Sequence, residues 1–315
     1  MRALHVPAAG AEIQLGEVPT PQVAEGTVLV RVKAAGLNAI DNGLAAGMMS
    51  QMFEHRYPLV LGRDAAGVVE AVGDGVDGIT VGDEVLGHVL LTPPIQAGTI
   101  AEYALLPAAS VVPKPAGVDW VTAAAIPLAG AAAAQAVEAV EPQPGQTVLV
   151  NGADGGVGSY AVQLLAARGV TVIATGKPES ADRLVALGAS TVIDHHGADV
   201  VEQIRGAHPD GVDALVNVGG FDPTGVPVGA VRNGGKLAST TAVPDDDTLA
   251  AAGVTATSIM ARPTRDVVEP LVGQAASGAL KVSVADVIPF DNAAAGLATL
   301  AAGKANGKLV VKVEG

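Results

Sequence analysis

Between Val148 and Leu165 the chain reads VLVNGADGGVGSYAVQLL, a short apolar run that passes through a turn of four glycines into a helical pattern. This junction constrains the fold more than any other stretch. The start of a helix leaves backbone N–H groups unpaired and carries partial positive charge, so an anion can rest there if no side chain blocks its approach. Gly155, Gly156 and Gly158 remove those side chains around Val157, Gly152 permits a tight exit from the strand, and Ala153 is small enough to follow. Asp154 stands where the dinucleotide fingerprint G-x-G-x-x-G has its second glycine, so the pattern is A-x-G-G-V-G. Two readings are open: a phosphate cradle formed by Gly155, Gly156 and Val157, or a turn built only for close helix–strand packing.

The context favours the cradle. A second apolar run, Val170 to Ala174, completes a βαβ unit of about the expected 30 residues. In NAD-binding folds an acidic residue near the end of this second strand, about 20 residues after the glycines, receives the ribose 2′-hydroxyl. Here the stretch is Thr175-Gly176-Lys177, with Ser180 and Arg183 one turn on, and it contains no carboxylate to repel a 2′-phosphate. Lys177 can attract one, so NADP(H) is favoured over NAD. The bland alternative is that Lys177 and Arg183 are solvated surface charges.

Composition removes several classes of function. The 315 residues suffice for two domains, each with its own core. A mean hydropathy of +0.41 hints at a membrane protein, but alanine supplies much of it. The most hydrophobic long stretch, Val121 to Val140, contains Pro127, Gly130, Gln135 and Glu138, and is expected to be a buried helix rather than a span. The start, MRALHVPAAG, lacks an apolar core of signal-peptide length, so a cytoplasmic protein is expected. With no cysteine there is no disulfide, thiolate zinc ligand or cysteine nucleophile. A net charge of −14 and 2% aromatic residues argue against nucleic acid and anionic membrane surfaces as partners.

Residues 1 to about 112 read as short strands separated by glycine and proline turns, the pattern of a small barrel. From about Val118 to Ser277 short continuous apolar runs alternate with helical stretches, as in a parallel sheet buried on both faces. Ligands bind beyond the carboxyl ends of such strands, which brings Asn217, Val218, Gly219, Ser239 and Thr240 into the set of cofactor candidates. Gly219-Gly220 is equally readable as a plain turn.

The segment YPLVLGRDAAGVVEAVGDGVDGITVGDEVLG, with Gly62, Asp64, Gly67, Gly73 and Gly82-Asp83, resembles the G-x-E/D-x-x-G-x-V-x-x-x-G signature of the medium-chain dehydrogenases/reductases. The resemblance runs through Gly98-Thr99, Ala101-Glu102-Tyr103, AAAIPLAG at Ala123 to Gly130, the A-x-G-G-V-G turn, Val216 to Gly220, Gly234-Gly235-Lys236 and the closing Asn306 to Val311. It implies a doubly wound Rossmann domain over residues 118–277 and a discontinuous GroES-like barrel over 1–117 and 278–315, the latter closed by a strand from VSVADVIPF, a helix from Asn292 to Ala302 capped by Asp291, and a last strand at Lys308 to Val313. Zinc-dependent members of this family hold their catalytic metal with a Cys at the place of Asn38 and a His at the place of Arg63. Neither an amide nor a guanidinium can replace those ligands. No metal site is expected, and the chain looks like the quinone oxidoreductase branch, which reduces quinones or α,β-unsaturated carbonyls with NADPH bound between the domains.

The resemblance also implies residue roles. Asn38 would stand beside the nicotinamide and donate to a carbonyl oxygen that gains charge, although a turn residue is as good a reading. Asp41 would orient its neighbours, Tyr57 would donate a proton or merely pack, Lys308 would contact the cofactor, and His195 would sit beside the adenosine phosphate, where protonation would strengthen binding as pH falls. The pair His195-His196 is otherwise a surface feature. Relatives place Thr after the hinge helix's glycine; this chain has Ala131-Ala132-Ala133-Ala134. A homodimer paired through Val254 to Ile259 is expected. The competing functions are an enoyl-thioester reductase of the same fold and a non-catalytic NADPH-binding protein.

Overall fold

The computed structural model describes residues 1–195 and 199–313, so His196 lies outside the described residues. The chain forms two compact units, Met1–Leu128 joined by the segment from Arg262 onward, and Ala129–Ala261.

The first unit begins with β1 (Arg2–Val6), β2 (Gln14–Glu17) and β3 (Thr27–Gly36), followed by α1 (Ala39–Ala45). Then come β4 (Leu59–Val60), β5 (Asp64–Val72), β6 (Glu84–His88), β7 (Tyr103–Pro107), β8 (Val111–Pro113) and α2 (Trp120–Ala125). In β3, TVLVRVKAAG, alternate residues Val28, Val30 and Val32 are fully buried, as a strand with one face on a core requires. Helix α3 (Pro127–Ala139) begins in this unit and continues into the next. The expected single helix over Val121–Val140 is thus two helices, because Pro127 has no N–H to continue the first and is well suited to start the second.

The second unit is a doubly wound α/β layer. Its elements are β9 (Thr147–Asn151), α4 (Gly156–Ala166), β10 (Thr171–Gly176), α5 (Ala181–Ala186), β11 (Thr191–Asp194), α6 (Val200–Ala207), β12 (Val212–Asn217), β13 (Val231–Ser239), α7 (Asp246–Ala252) and β14 (Thr255–Ser258). All neighbours pair in parallel in the order β11-β10-β9-β12-β13-β14. The order reverses on either side of β9, and this is where such sheets open a crevice at their carboxyl ends. Val148, Leu149 and Val150 in β9 are fully buried, as are Leu215 and Val216 in β12.

The chain then returns to the first unit with α8 (Arg265–Ser277), β15 (Val284–Pro289), α9 (Ala293–Ala301) and β16 (Lys308–Lys312). The units therefore divide at 128/129 and 261/262 rather than at 117/118 and 277/278. The reason is packing: α2 lies on β3 and β5, and α8 lies on β8, so both helices belong to the first core. That unit's large sheet runs β15-β16-β3-β5-β6-β8, with β7 also paired to β3, and a small sheet is ordered β2-β1-β4. Asp291 does not cap α9. A 3₁₀ turn over Phe290–Asn292 makes Asn292 the N-cap, and the Asp291 carboxylate pairs with Arg2 instead. Among the described residues no helix is long and apolar enough to cross a membrane.

Candidate active site

In the second unit the carboxyl ends of four adjacent strands are tied by side chains. Thr175 Oγ1 donates to Asn151 Oδ1 at 2.8 Å and accepts the Gly152 N–H at 2.9 Å. Asn151 Nδ2 donates to Asn217 Oδ1 at 2.8 Å. Asn217 Nδ2 in turn faces Ser239 Oγ, Thr241 Oγ1 and the Ala242 carbonyl at 3.0, 3.2 and 3.1 Å. Thr175, Asn217 and Ser239 are essentially inaccessible, so their polar groups hold the crevice's rim instead of facing into it. Val218 and Thr240 continue this rim through backbone bonds, Val218 N–H to Asn151 O and Thr240 N–H to Asn217 O. Asn151 was not among the expected site residues; its signal is a polar side chain ending an apolar strand one residue before the first glycine.

The glycines are needed where they stand. Gly152 has φ +81°, and a Cβ on Gly158 would lie 2.3 Å from the Gly152 carbonyl oxygen. Gly152 and Gly219 touch backbone to backbone, where a Cβ on Gly219 would meet Gly152 Cα at 2.9 Å. At Gly155, by contrast, an added Cβ would meet only an ordinary contact at 3.5 Å, so packing does not demand glycine there. Gly155 is the N-cap of α4 and no side chain caps that helix, which leaves the first-turn N–H groups of Gly156 and Val157 for an anion. A pyrophosphate fits this cradle.

At the end of β10 the structure corrects one expectation. A carboxylate does stand there: Asp154 Oδ2 accepts the Lys177 N–H at 3.0 Å, and Arg183 Nη2 donates to the Asp154 carbonyl at 2.9 Å. Ser180 is buried beneath this corner, and His195, exposed, follows directly after Asp194, which pairs in register with Gly176. Burial lowers the Arg183 guanidinium from its ordinary pKa, against the pull of Asp154.

The first unit holds a second polar cluster. Asn38, in extended conformation just after β3, is the N-cap of α1, and its own N–H donates to Asp41 Oδ2 at 2.8 Å. Asn38 Nδ2 donates to Asp64 Oδ2 at 2.9 Å and, less closely, to the Gly36 carbonyl at 3.3 Å. Its Oδ1 accepts from Lys308 Nζ at 2.6 Å, and the same ammonium donates to Leu37 O at 2.8 Å. Asp64 Oδ1 accepts from His88 Nδ1 at 2.8 Å and from the Leu128 N–H at 3.1 Å. Strand register explains the meeting, since Asp64 pairs with His88 across β5 and β6, and β16 lies against β3 with Val310 opposite Gly36. Lys308, a cofactor candidate by the resemblance, thus lies beside Asn38.

Every member of this cluster is buried, and that governs its electrostatics. Desolvation pushes the Asp41 carboxyl from 3.8 up to about 7, against the pull of Arg63 and Lys308 and the Asn38 N–H. Desolvation likewise lowers Lys308 and Arg63 from their ordinary values, opposed by Asp64 and Asp41. Arg63, 1% exposed, donates to the Ala97 and Val60 carbonyls while its Nε has no partner. Tyr57 is half-buried against the apolar core of this unit.

The sequence profile of the alcohol dehydrogenase GroES-like domain matches residues 24–116, and that of the zinc-binding dehydrogenase family matches 156–268. A solved structure described as an NAD-dependent alcohol dehydrogenase is 31% identical, with a TM-score of 0.88 and 100% of both chains covered. The chain belongs to the medium-chain dehydrogenase/reductase superfamily. Within this superfamily it is similar to the quinone oxidoreductase of Coxiella burnetii, at 26% identity and TM-score 0.88 over 99% of this chain and 98% of that one. It is also 32% identical to the NADPH-dependent alkenal/one oxidoreductase of Arabidopsis thaliana over 71% of its own length and 57% of the relative's. The chain spans between 54% and 63% of the length of the first four curated relatives it matches. As a superfamily member it combines the GroES-like and Rossmann-like folds.

Proposed function

We propose that this chain is a zinc-independent reductase that transfers hydride from NADPH to a quinone or to an α,β-unsaturated carbonyl. The observation that carries the reading is the start of α4: glycine at its N-cap where packing does not require it, no capping side chain, and a rim tied by Thr175, Asn151 and Asn217. Relatives named quinone oxidoreductase, alkenal/one oxidoreductase and 2-methylene-furan-3-one reductase support the substrate class.

When bound, NADPH supplies the hydride, so the protein is left to provide position and polarity. Gly156 and Val157 would receive the pyrophosphate on their N–H groups, with Gly155 leaving the approach clear, Lys177 and Arg183 would attract the 2′-phosphate, and the rim residues keep the strand ends in register. Hydride addition leaves negative charge on a carbonyl oxygen, which needs a preorganised donor. Asn38 is the proposed donor: exchanging its long bond to Gly36 O frees one N–H, while Asp64 and Lys308 keep the amide from turning over. Asp41 holds the Asn38 backbone. With Asn and Arg at the places where zinc-dependent relatives use Cys and His, the residues do not suit a metal. A homodimer through the β14 edge is part of the proposal, although the exposed residues there are Thr255, Thr257 and Ser258, so pairing would rest on backbone bonds more than on apolar contact.

A panel of quinones, enones and acyl thioesters, with NADPH oxidation and calorimetric cofactor binding measured together, tests the reading. Turnover of the first two classes is expected. Thioester turnover alone points to the acyl reductase, and binding without turnover to a non-catalytic role.

A further inference from the structure

Strand β10 ends without an acidic residue of its own, yet the fold delivers one to that place from the glycine turn. The Asp154 side chain is half-buried; a Cβ placed on Gly176 would lie 3.3 Å from Asp154 Cβ and 3.6 Å from its Cγ. Its Oδ2 receives the Lys177 N–H at 3.0 Å, and its backbone carbonyl receives Arg183 Nη2 at 2.9 Å. Both ends of the residue are therefore held, and the carboxylate is a fixed feature of the β10 tip. A carboxylate has about four lone-pair sites, and Asp154 spends one of them on Lys177.

In a Rossmann fold the tip of the second strand is where the 2′ substituent of the adenosine ribose is read. A carboxylate there accepts a hydrogen bond from the O–H of a 2′-hydroxyl and repels a 2′-phosphate; Lys177 and Arg183 act in the opposite direction. Arg183 Nη1 is buried with no partner, which leaves a cationic donor at the same corner.

We propose that Asp154 is the specificity-determining residue for the nucleotide's 2′ position, accepting the 2′-hydroxyl of NADH and opposing the 2′-phosphate of NADPH, so that the chain uses both cofactors. The inference rests on the reductase reading above and deepens it. Its local sequence signal is weak, because Asp154 precedes Lys177 by 23 positions and only the close packing of Gly176 brings the two together.

Calorimetric titration with ADP-ribose and 2′-phospho-ADP-ribose isolates this corner from the chemistry. In Asp154→Asn, whose amide oxygen still accepts from Lys177, the affinity ratio of 2′-phospho-ADP-ribose to ADP-ribose is expected to rise about ten-fold or more. The kcat/KM ratio of NADPH to NADH should move in the same direction. Lys177→Gln should lower the fragment ratio. Should the asparagine variant not fold, Asp154→Ser provides the same comparison. A folded variant that binds both fragments with the wild-type ratio, within about two-fold, overturns the role of Asp154 and leaves the reductase reading intact. If wild type binds neither fragment nor NADH nor NADPH, the reductase reading falls and this assignment with it.

Discussion

Replacing Asp41 by asparagine is expected to change how the stability of the first unit depends on pH. Asp41 is inaccessible, Oδ1 has no partner, and desolvation raises its carboxyl from 3.8 to about 7. An acid with a raised folded value binds its proton more tightly in the folded state, so its protonation favours folding. That contribution is complete below 3.8, where both states are protonated, and is lost as pH climbs through about 7. Each pH unit inside this window corresponds to about 1.4 kcal/mol, so between pH 5 and pH 8 the wild type should lose about 3 kcal/mol that the asparagine variant keeps. The asparagine oxygen can still accept the Asn38 N–H, and any cost of its new N–H₂ group is the same at every pH. Urea unfolding at a series of pH values, followed by the fluorescence of the single tryptophan, Trp120 in α2 of the same unit, gives the two curves. Their difference should widen in favour of the variant as pH rises. Curves that stay parallel within about 1 kcal/mol would show that Arg63 and Lys308 compensate the buried charge fully, contrary to the reasoning.

Three further outcomes follow from the geometry. Gly158→Ala puts a methyl group 2.3 Å from the Gly152 carbonyl oxygen, so α4 must move off β9; a loss of about 1–3 kcal/mol in urea and a collapse of NADPH affinity in calorimetry are expected, and unchanged binding would contradict the cradle. Asn217→Leu strands the Asn151 amide and removes the donor shared by Ser239 Oγ, Thr241 Oγ1 and the Ala242 carbonyl, and should cost the second unit about 2–4 kcal/mol; a loss below about 1 kcal/mol would show the rim to be redundant. Asn38→Ala should lower kcat roughly ten- to a hundred-fold with little change in NADPH affinity, whereas an effect on affinity alone would move Asn38 out of the catalytic role.

What could be read along the chain was what neighbouring residues decide. The glycine turn, its flanking strand and helix, and the apolar runs of a parallel sheet are local signals, because backbone freedom and side-chain periodicity act over a few residues. The resemblance extended this to the two folds. It did not reach the division of the units, since whether α2 and α8 join one core or the other depends on which strands they cover.

Asp154 and Lys308 show the same limit at the level of side chains. Neither one's partner can be read from its own stretch, and each takes its chemistry from a residue brought alongside by strand pairing or packing: Lys177 for the first, and Asn38, 270 positions away, for the second. The sequence determined the glycine cradle, because close backbone approach needs a missing side chain at a given position. Only the tertiary structure decided which charges share a corner, because charge acts through space and desolvation depends on everything packed around it.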